Sequence, residues 1–270
     1  MSEQPENRYK QIIEHIFFAK EFGAYAAGDI EIEFTRDHIV TAAKVVDVGL
    51  PKNLGDVVYS IRYRTPMPKK ILRTQSKGLE WIIEGAGRAK YRFKLVAANR
   101  ITPNDSLRSI KIPDATPEII GAYALNDEQA LLAKVRYNRI IDMFLGVAAY
   151  SLQSHMRTTV KNIGQIEIDE VYVAVDRSGV QYVIPVQAKG GKDQLGVVQM
   201  QQDLACCAEK FPSLVCRAIS TQFMSDERIA MFELGVEEER VVVVEEKHYR
   251  LVPSHEITAE DLKEYRKVKP

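Results

Sequence analysis

Four polar side chains of types that take part in catalysis lie on two strand-like stretches that flank the turn sequence DRSG. Side chains alternate between the two faces of a β-strand. Glu167 and Asp169 therefore share one face of the first stretch, and Gln187 and Lys189 share one face of the second. The short turn predicts a hairpin, which would bring Asp169, Gln187 and Lys189 together at one end of a sheet.

This cluster contains the residue types that hydrolysis of a phosphodiester requires. Carboxylate and amide oxygens bind Mg²⁺, which usually keeps several waters and takes one or two carboxylates plus a substrate phosphate. A bound metal lowers the pKa of water and shields the charge of the phosphate, while a lysine ammonium orients the nucleophile or stabilises the transition state. The pattern ExD followed by QxK also arises in amphipathic hairpins without a catalytic role, and that alternative stays open.

The spacing of Asp169 from the triplet Gln187-Ala188-Lys189, which follows the apolar run VIPV, resembles the PD-(D/E)xK nuclease superfamily and its restriction-endonuclease-like fold. The longer run around it is similar to a bacterial family described as endonucleases, over residues 120–265. The resemblance implies a Mg²⁺-dependent DNA endonuclease in which Mn²⁺ substitutes for Mg²⁺. It implies Asp169 and Gln187 as metal ligands and Lys189 as the catalytic lysine; Glu167, on the same face, is a further candidate ligand.

Two positions depart from the superfamily pattern. Ile168 precedes Asp169 where proline is common, and Gln187 replaces the usual acid, which removes one negative charge and lowers the expected metal affinity. A QxK variant is nevertheless familiar among active members. An upstream helix often supplies a further acid; Glu128 is our choice, with Asp142 as a competitor and an ordinary helix-terminal acid as the alternative.

Charge is distributed unevenly along the 270 residues, although 37 basic and 37 acidic side chains give a formal charge of zero. Residues 51–112 carry 14 Lys/Arg and 4 Asp/Glu, whereas the segments before and after them are acidic. A basic segment between acidic ones is expected when one face of a protein meets phosphate. A solvated basic surface explains the same counts.

The basic segment lies within a pattern of helices followed by a hairpin. Helical periodicity covers residues 8–22, Thr35 is placed to cap a second helix, and residues 53–63 predict a third helix or a strand. A hairpin around Gly85 and Gly87 completes the outline of a winged helix, in which a helix enters the major groove of DNA. The candidate DNA contacts are Arg62, Arg64, Lys69, Lys70, Arg88, Lys90 and Arg92. We expect them to share one continuous surface with the aromatic residues that alternate with them, Tyr59, Tyr63, Tyr91 and Phe93. Exposed strand and loop charge is the alternative.

Proline-rich residues 101–117 predict a linker, with a boundary near residue 114 between a DNA-binding domain (1–114) and a nuclease domain (115–270). Helices and strands alternate beyond it, which predicts an α/β (α+β) fold with a mixed sheet flanked by helices. The expected elements are helices from residue 126, at 147–160, at 194–209, at 225–232 and after Thr258, and strands at 165–175, 180–190, 215–220 and 240–246.

No apolar run approaches the length of a membrane span, and the first residues lack the apolar core of a signal peptide, so we expect a cytoplasmic protein without a membrane partner. Double-stranded DNA is the expected partner, and sequence-specific cleavage of the type II restriction kind is the leading use. Palindromic sites would require a homodimer. The alternatives are a non-catalytic DNA-binding regulator on a nuclease fold, favoured by Gln187, and a DNA-repair nuclease.

Overall fold

A computed structural model describes residues 7–22, 25–63, 65–97, 101–123, 128–161, 163–190, 196–237 and 240–267. The chain forms two compact units. The first comprises residues 1–98 and 159–165, and the second comprises residues 99–158 and 166–270. This division falls before the expected boundary near residue 114.

The first unit contains helices that pack on a small antiparallel sheet. Its helices are α1 (Arg8–Phe18), a 3-10 turn (Lys20–Phe22), α2 (Arg36–Val45), α3 (Gly55–Tyr63) and α4 (Lys69–Leu72), and its strands are β1 (Glu31–Thr35), β2 (Leu79–Gly85) and β3 (Lys90–Ala97). The strand order is β1-β3-β2. Thr35 caps α2 by accepting a hydrogen bond from the His38 amide at 3.4 Å. The three expected helices and the hairpin are therefore confirmed as elements, whereas β1 was not foreseen.

Aromatic rings fill the core of the first unit. The Phe17 ring lies 5.0 Å from the Phe93 ring and 5.1 Å from the Trp81 ring, measured between centroids. Phe93 is fully buried. The expectation that Phe93 shares a surface with the cations of β3 is therefore wrong, because alternation along the strand turns Tyr91 and Phe93 toward the core and Arg92 toward the other face.

The second unit is built around a mixed sheet. Its strands are β4 (Ser109–Pro113), β5 (Ala148–Val160), β6 (Gly164–Val175), β7 (Gln181–Lys189), β8 (Val215–Cys216), β9 (Ala218–Phe223), β10 (Ile229–Glu237) and β11 (Arg240–Val252). Its helices are α5 (Glu118–Tyr123), α6 (Glu128–Tyr137), α7 (Ile140–Leu145), α8 (Val197–Lys210) and α9 (Ala259–Tyr265), with a 3-10 turn at Ser254–Glu256. The strand order is β4-β11-β10-β9-β7-β6-β5, and β8 pairs with β7.

Helices cover both faces of this sheet. Neighbouring residues of β9 point to opposite faces, so Ile219 packs in the cluster that contains Leu131 of α6, while Ala218 packs in the cluster that contains Met200 of α8. Strands β7 and β9 run parallel with α8 connecting them, whereas β6 and β7 are antiparallel. The expected mixed sheet flanked by helices is thus confirmed.

Three expectations about elements are wrong. A helix was expected over residues 147–160, but residues 148–160 form strand β5; a helix was also expected over residues 225–232, but residues 229–232 begin strand β10. Strand β5 lies at the sheet edge with residues 150–155 all exposed, and β10 is buried on both faces over most of its length, so neither shows the alternation of a half-buried strand. Within the expected linker, residues 109–113 form β4, which pairs with β11.

Candidate active site

The candidate site lies where strands β6 and β7 stop pairing. Their antiparallel register extends from Val175 opposite Gln181 to Glu170 opposite Val186. Just beyond that point, the Ala188 amide donates a hydrogen bond to Asp169 Oδ2 at 2.9 Å. The carboxylate of Asp169 is therefore held directly beside the backbone of β7, one residue from Lys189.

The surroundings of Asp169 disfavour the ionised form of its carboxyl group. Burial raises the pKa of this carboxyl above its ordinary value, and the nearby charge of Lys189 and the Ala188 hydrogen bond oppose that rise. The charge of Glu167 raises the pKa further. A partly buried carboxylate with a lysine and a second acid nearby is a feature of functional sites, because charges interact more strongly there than in water.

Gln187 occupies the position where the superfamily pattern has an acid, and its side chain is almost completely buried. Its Nε2 donates a hydrogen bond to Asp203 Oδ2 at 2.9 Å, while its Oε1 accepts one from Gln199 Nε2 at 2.6 Å. Both of those partners lie on α8. The expected role of Gln187 as a metal ligand stays a prediction, but in this arrangement α8 engages both ends of its amide.

Lys189 and Glu128 lie near the same point. Burial raises the pKa of both Asp169 and Asp203, and the charge of Lys189 opposes that rise in each, so its ammonium acts on both groups. Glu128 begins α6, and a β-carbon built on Gly190 would lie 3.7 Å from Glu128 Cγ. The structure therefore places the chosen upstream acid next to the residue that follows the candidate catalytic lysine.

The other acids considered from the sequence have partners of their own. Glu167 lies 3.2 Å from Arg157 Nε and 3.3 Å from His155 Nδ1, both on strand β5. Asp142, the competitor of Glu128, forms an ion pair with Arg139 and accepts a hydrogen bond from the Ala149 amide at 3.0 Å. Asp142 thus ties the start of α7 to the beginning of β5.

Glu170 is adjacent to Asp169 in the chain, but its side chain lies in a different environment. It is fully buried and accepts hydrogen bonds from Arg136 Nε at 2.8 Å and from Ser151 Oγ at 2.6 Å. Arg136 belongs to α6 and Ser151 to β5. The carboxylate therefore joins three elements, and its contacts give it a structural role.

Asp203 is the residue that the sequence analysis missed. Only 2% of it is exposed, and its Oδ1 has no hydrogen-bond partner in the described part of the chain. Burial raises its pKa well above the ordinary value, the Gln187 hydrogen bond opposes this, and the charge of Asp169 adds to the rise. Gln199, Asp203 and Cys207 follow one another at intervals of four residues, so they share one face of α8. Because that face packs on the sheet, this spacing could have identified Asp203 as a buried acid from the sequence.

The chemistry of these groups fits a hard divalent cation. Among the described residues, no three His, Cys, Asp or Glu side chains are grouped so that they form a metal site by themselves. The buried Asp203 Oδ1 nevertheless needs a partner, and buried polar atoms normally have one. Mg²⁺ is usually bound by one or two protein carboxylates, and Asp169 and Asp203 supply two. The residues present therefore fit this ion.

The candidate DNA contacts of the first unit fall into distinct groups. Arg62 Nε donates to the Ile83 carbonyl at 2.7 Å, Lys70 pairs with Glu14, and Arg92 pairs with Glu84 and with Glu31. Lys69, Arg88 and Lys90 are exposed, and Arg64 lies outside the described residues. Several of the expected contacts therefore have partners within their own unit.

The chain matches no protein-family model, no curated protein and no solved structure in the three comparisons made. Within the ranges that the structure describes, no helix is long and apolar enough to cross a membrane.

Proposed function

We propose that this protein is a Mg²⁺-dependent DNA endonuclease that hydrolyses phosphodiester bonds in double-stranded DNA. The observation that supports this most strongly is the hydrogen bond from the Ala188 amide to the Asp169 carboxylate, which holds this acid one residue from Lys189 at the end of the β6–β7 pairing. The buried acid Asp203 contacts Gln187 at the same point, and the partly exposed acid Glu128 lies next to Gly190. Carboxylates and a lysine at one partly buried location are the groups that this hydrolysis needs.

Each side chain has a defined task in this proposal. The metal, when bound, lowers the pKa of water and shields charge on the phosphate. Asp169 offers a carboxylate oxygen for that ion, and Lys189 presents an ammonium that orients the attacking water or stabilises the charge that develops on the phosphate. Burial of the site strengthens both effects, because charges interact more strongly where water is excluded.

The first unit is proposed to bind DNA as a winged-helix-like module. The supporting features are its helices α1 to α4 followed by the β2–β3 hairpin, with Arg88 and Lys90 exposed at the hairpin turn. Cations at such a tip are suited to phosphate contacts, which position a protein on the duplex without reading its sequence. Sequence-specific cleavage of the type II restriction kind remains the leading proposed use, and cleavage of palindromic sites would call for a homodimer.

Cleavage of supercoiled plasmid and of mixed genomic DNA tests the proposed activity. We expect discrete fragments from the wild-type protein in Mg²⁺ or Mn²⁺, no fragments in EDTA, and none from Lys189→Ala in any buffer. Lys210→Ala is the matched control, since Lys210 lies at the end of α8 and pairs with Glu209 at the surface. It should cut like the wild type.

The same experiment separates the alternatives. If the wild type binds duplex DNA but neither nicks nor cuts it with any divalent ion, the catalytic proposal fails and the DNA-binding regulator replaces it. Gln187 in place of an acid is the feature that favours the regulator. Cleavage confined to branched or damaged substrates would instead identify a repair nuclease with the same site.

A further inference from the structure

We infer that Asp203 supplies the second metal-binding carboxylate of this site, in place of the acid that is missing at Gln187. The inference rests on the proposed function, and it deepens it by naming a ligand on helix α8 that the strand motif does not contain. It also gives Gln187 a positioning role, since its amide holds the Asp203 carboxylate rather than binding metal itself.

The first argument is the orientation of the Asp203 carboxylate. Gln187 Nε2 binds one of its oxygens, Oδ2, at 2.9 Å, and this leaves Oδ1 as a buried oxygen without a partner in the described residues. An aspartate that only tied α8 to the sheet would need no second oxygen, and an asparagine would accept the same hydrogen bond. A free buried carboxylate oxygen is costly unless a cation or a donor meets it.

The second argument is the balance of charge. Asp203 is almost completely buried, and the hydrogen bond that its Oδ2 accepts comes from a neutral amide, that of Gln187. The buried acid Glu170 also has one oxygen, Oε2, without a hydrogen-bond partner in the described residues, but its Oε1 accepts hydrogen bonds from the guanidinium of Arg136 at 2.8 Å and from the hydroxyl of Ser151. A divalent cation beside Asp169 and Asp203 would supply the compensation that Glu170 obtains from arginine.

The contact between Gln187 and Asp203 explains why position 187 holds an amide rather than an acid. Gln187 and Asp203 are in direct contact, so an acid at position 187 would place two carboxylates against each other. The neutral amide avoids that repulsion and donates a hydrogen bond instead, while Gln199 holds its other end. The loss of the strand acid and the presence of the helix acid are therefore two parts of one arrangement.

Metal binding without DNA tests this inference independently of catalysis. Free Mn²⁺ would be measured by electron paramagnetic resonance while MnCl₂ is added to wild type, Asp203→Asn and Glu209→Gln, the last being a matched exposed acid on α8. We expect Asp203→Asn to bind Mn²⁺ at least about tenfold more weakly, the scale on which changes around metal ligands act. Glu209→Gln should bind like the wild type.

An exchange variant distinguishes the loss of a metal ligand from a folding defect. In Gln187→Glu/Asp203→Asn the acid moves to the strand and the amide to the helix, so the contact between them is kept and one carboxylate remains. We expect this double variant to recover Mn²⁺ binding that Asp203→Asn has lost. Thermal unfolding in EDTA would show which variants are folded.

The outcomes separate the inference from the proposed function. If the wild type binds Mn²⁺ and cuts DNA while Asp203→Asn binds Mn²⁺ equally well, the inference is overturned and the nuclease proposal stands. A folded Asp203→Asn protein with weak binding that the exchange variant does not recover overturns the positional argument. If the wild type binds no Mn²⁺ and cuts no DNA, the proposed function itself fails.

Discussion

The buried pair of Glu170 and Arg136 allows a quantitative prediction about the strand that carries Asp169. Glu170 has no exposed surface, and its partners are Arg136 Nε at 2.8 Å and Ser151 Oγ at 2.6 Å. The change Arg136→Met removes the guanidinium but leaves the carboxylate inside. We expect the free energy of unfolding to fall, because the buried charge then lacks its cation.

The size of this loss follows from burial. Removing one partner of a buried ion pair typically costs about 3–5 kcal/mol. The side chain of Arg136 is 40% exposed, so water screens part of the interaction, and we expect a loss of about 2–3 kcal/mol. Changing both residues to Met removes both charges, so the double variant should lose less than the sum of the single variants.

Urea unfolding followed by far-ultraviolet circular dichroism would measure these losses. A loss below about 1 kcal/mol for Arg136→Met, or strict additivity in the double variant, would refute the reasoning, since neither fits a strongly coupled buried pair. The neighbouring acids give a functional control. Glu170→Gln should retain plasmid cleavage, whereas Asp169→Asn should lose it while remaining folded; the opposite result would exchange the roles given to these two residues.

The double change Arg88→Ala/Lys90→Ala should weaken duplex binding and reduce the slope of log K against log salt by roughly 2, as expected when two phosphate contacts are lost. Fluorescence anisotropy at several salt concentrations measures this, and an equal effect of Arg92→Ala would contradict it, because Arg92 pairs with acids of its own unit. The Thr258 amide and a lysine on β4 lower the pKa of Asp261 to about 2. Because this pKa lies below its ordinary value of 3.8, the stabilisation is present above about pH 4 and is lost as the pH falls toward 2. The difference in thermal midpoint between wild type and Asp261→Asn should therefore shrink over that interval, and a constant difference would show that Asp261 makes no such contribution.

The hairpin and its polar face could be predicted because they depend on local alternation. Residues two apart on a strand share a face whatever packs around them, so Asp169, Gln187 and Lys189 follow from the pattern and from the turn that joins the strands. The caps at Thr35 and Thr258 are likewise local, and both were confirmed.

The sequence predictions were wrong where the local sequence pattern does not reflect the environment of the residues in the fold. Strand β5 is exposed at the edge of the sheet and β10 is buried on both faces, so neither carries the alternation that identifies a strand. On β3, alternation turns Phe93 into the core of the first unit while Arg92 faces the other way. Proximity in sequence had suggested a shared surface for these two residues, whereas the sheet separated them.

The sequence by itself determined which residues of the β6–β7 hairpin face together, since that depends on a backbone repeat of two residues. Only the tertiary structure decided that Gln187 would meet Asp203, because the contact depends on how α8 packs across the sheet. The acid lies 16 residues from the glutamine along the chain, and neither residue reveals the other without that packing. Secondary structure is encoded locally, whereas the composition of a site depends on which distant elements bury each other's surfaces.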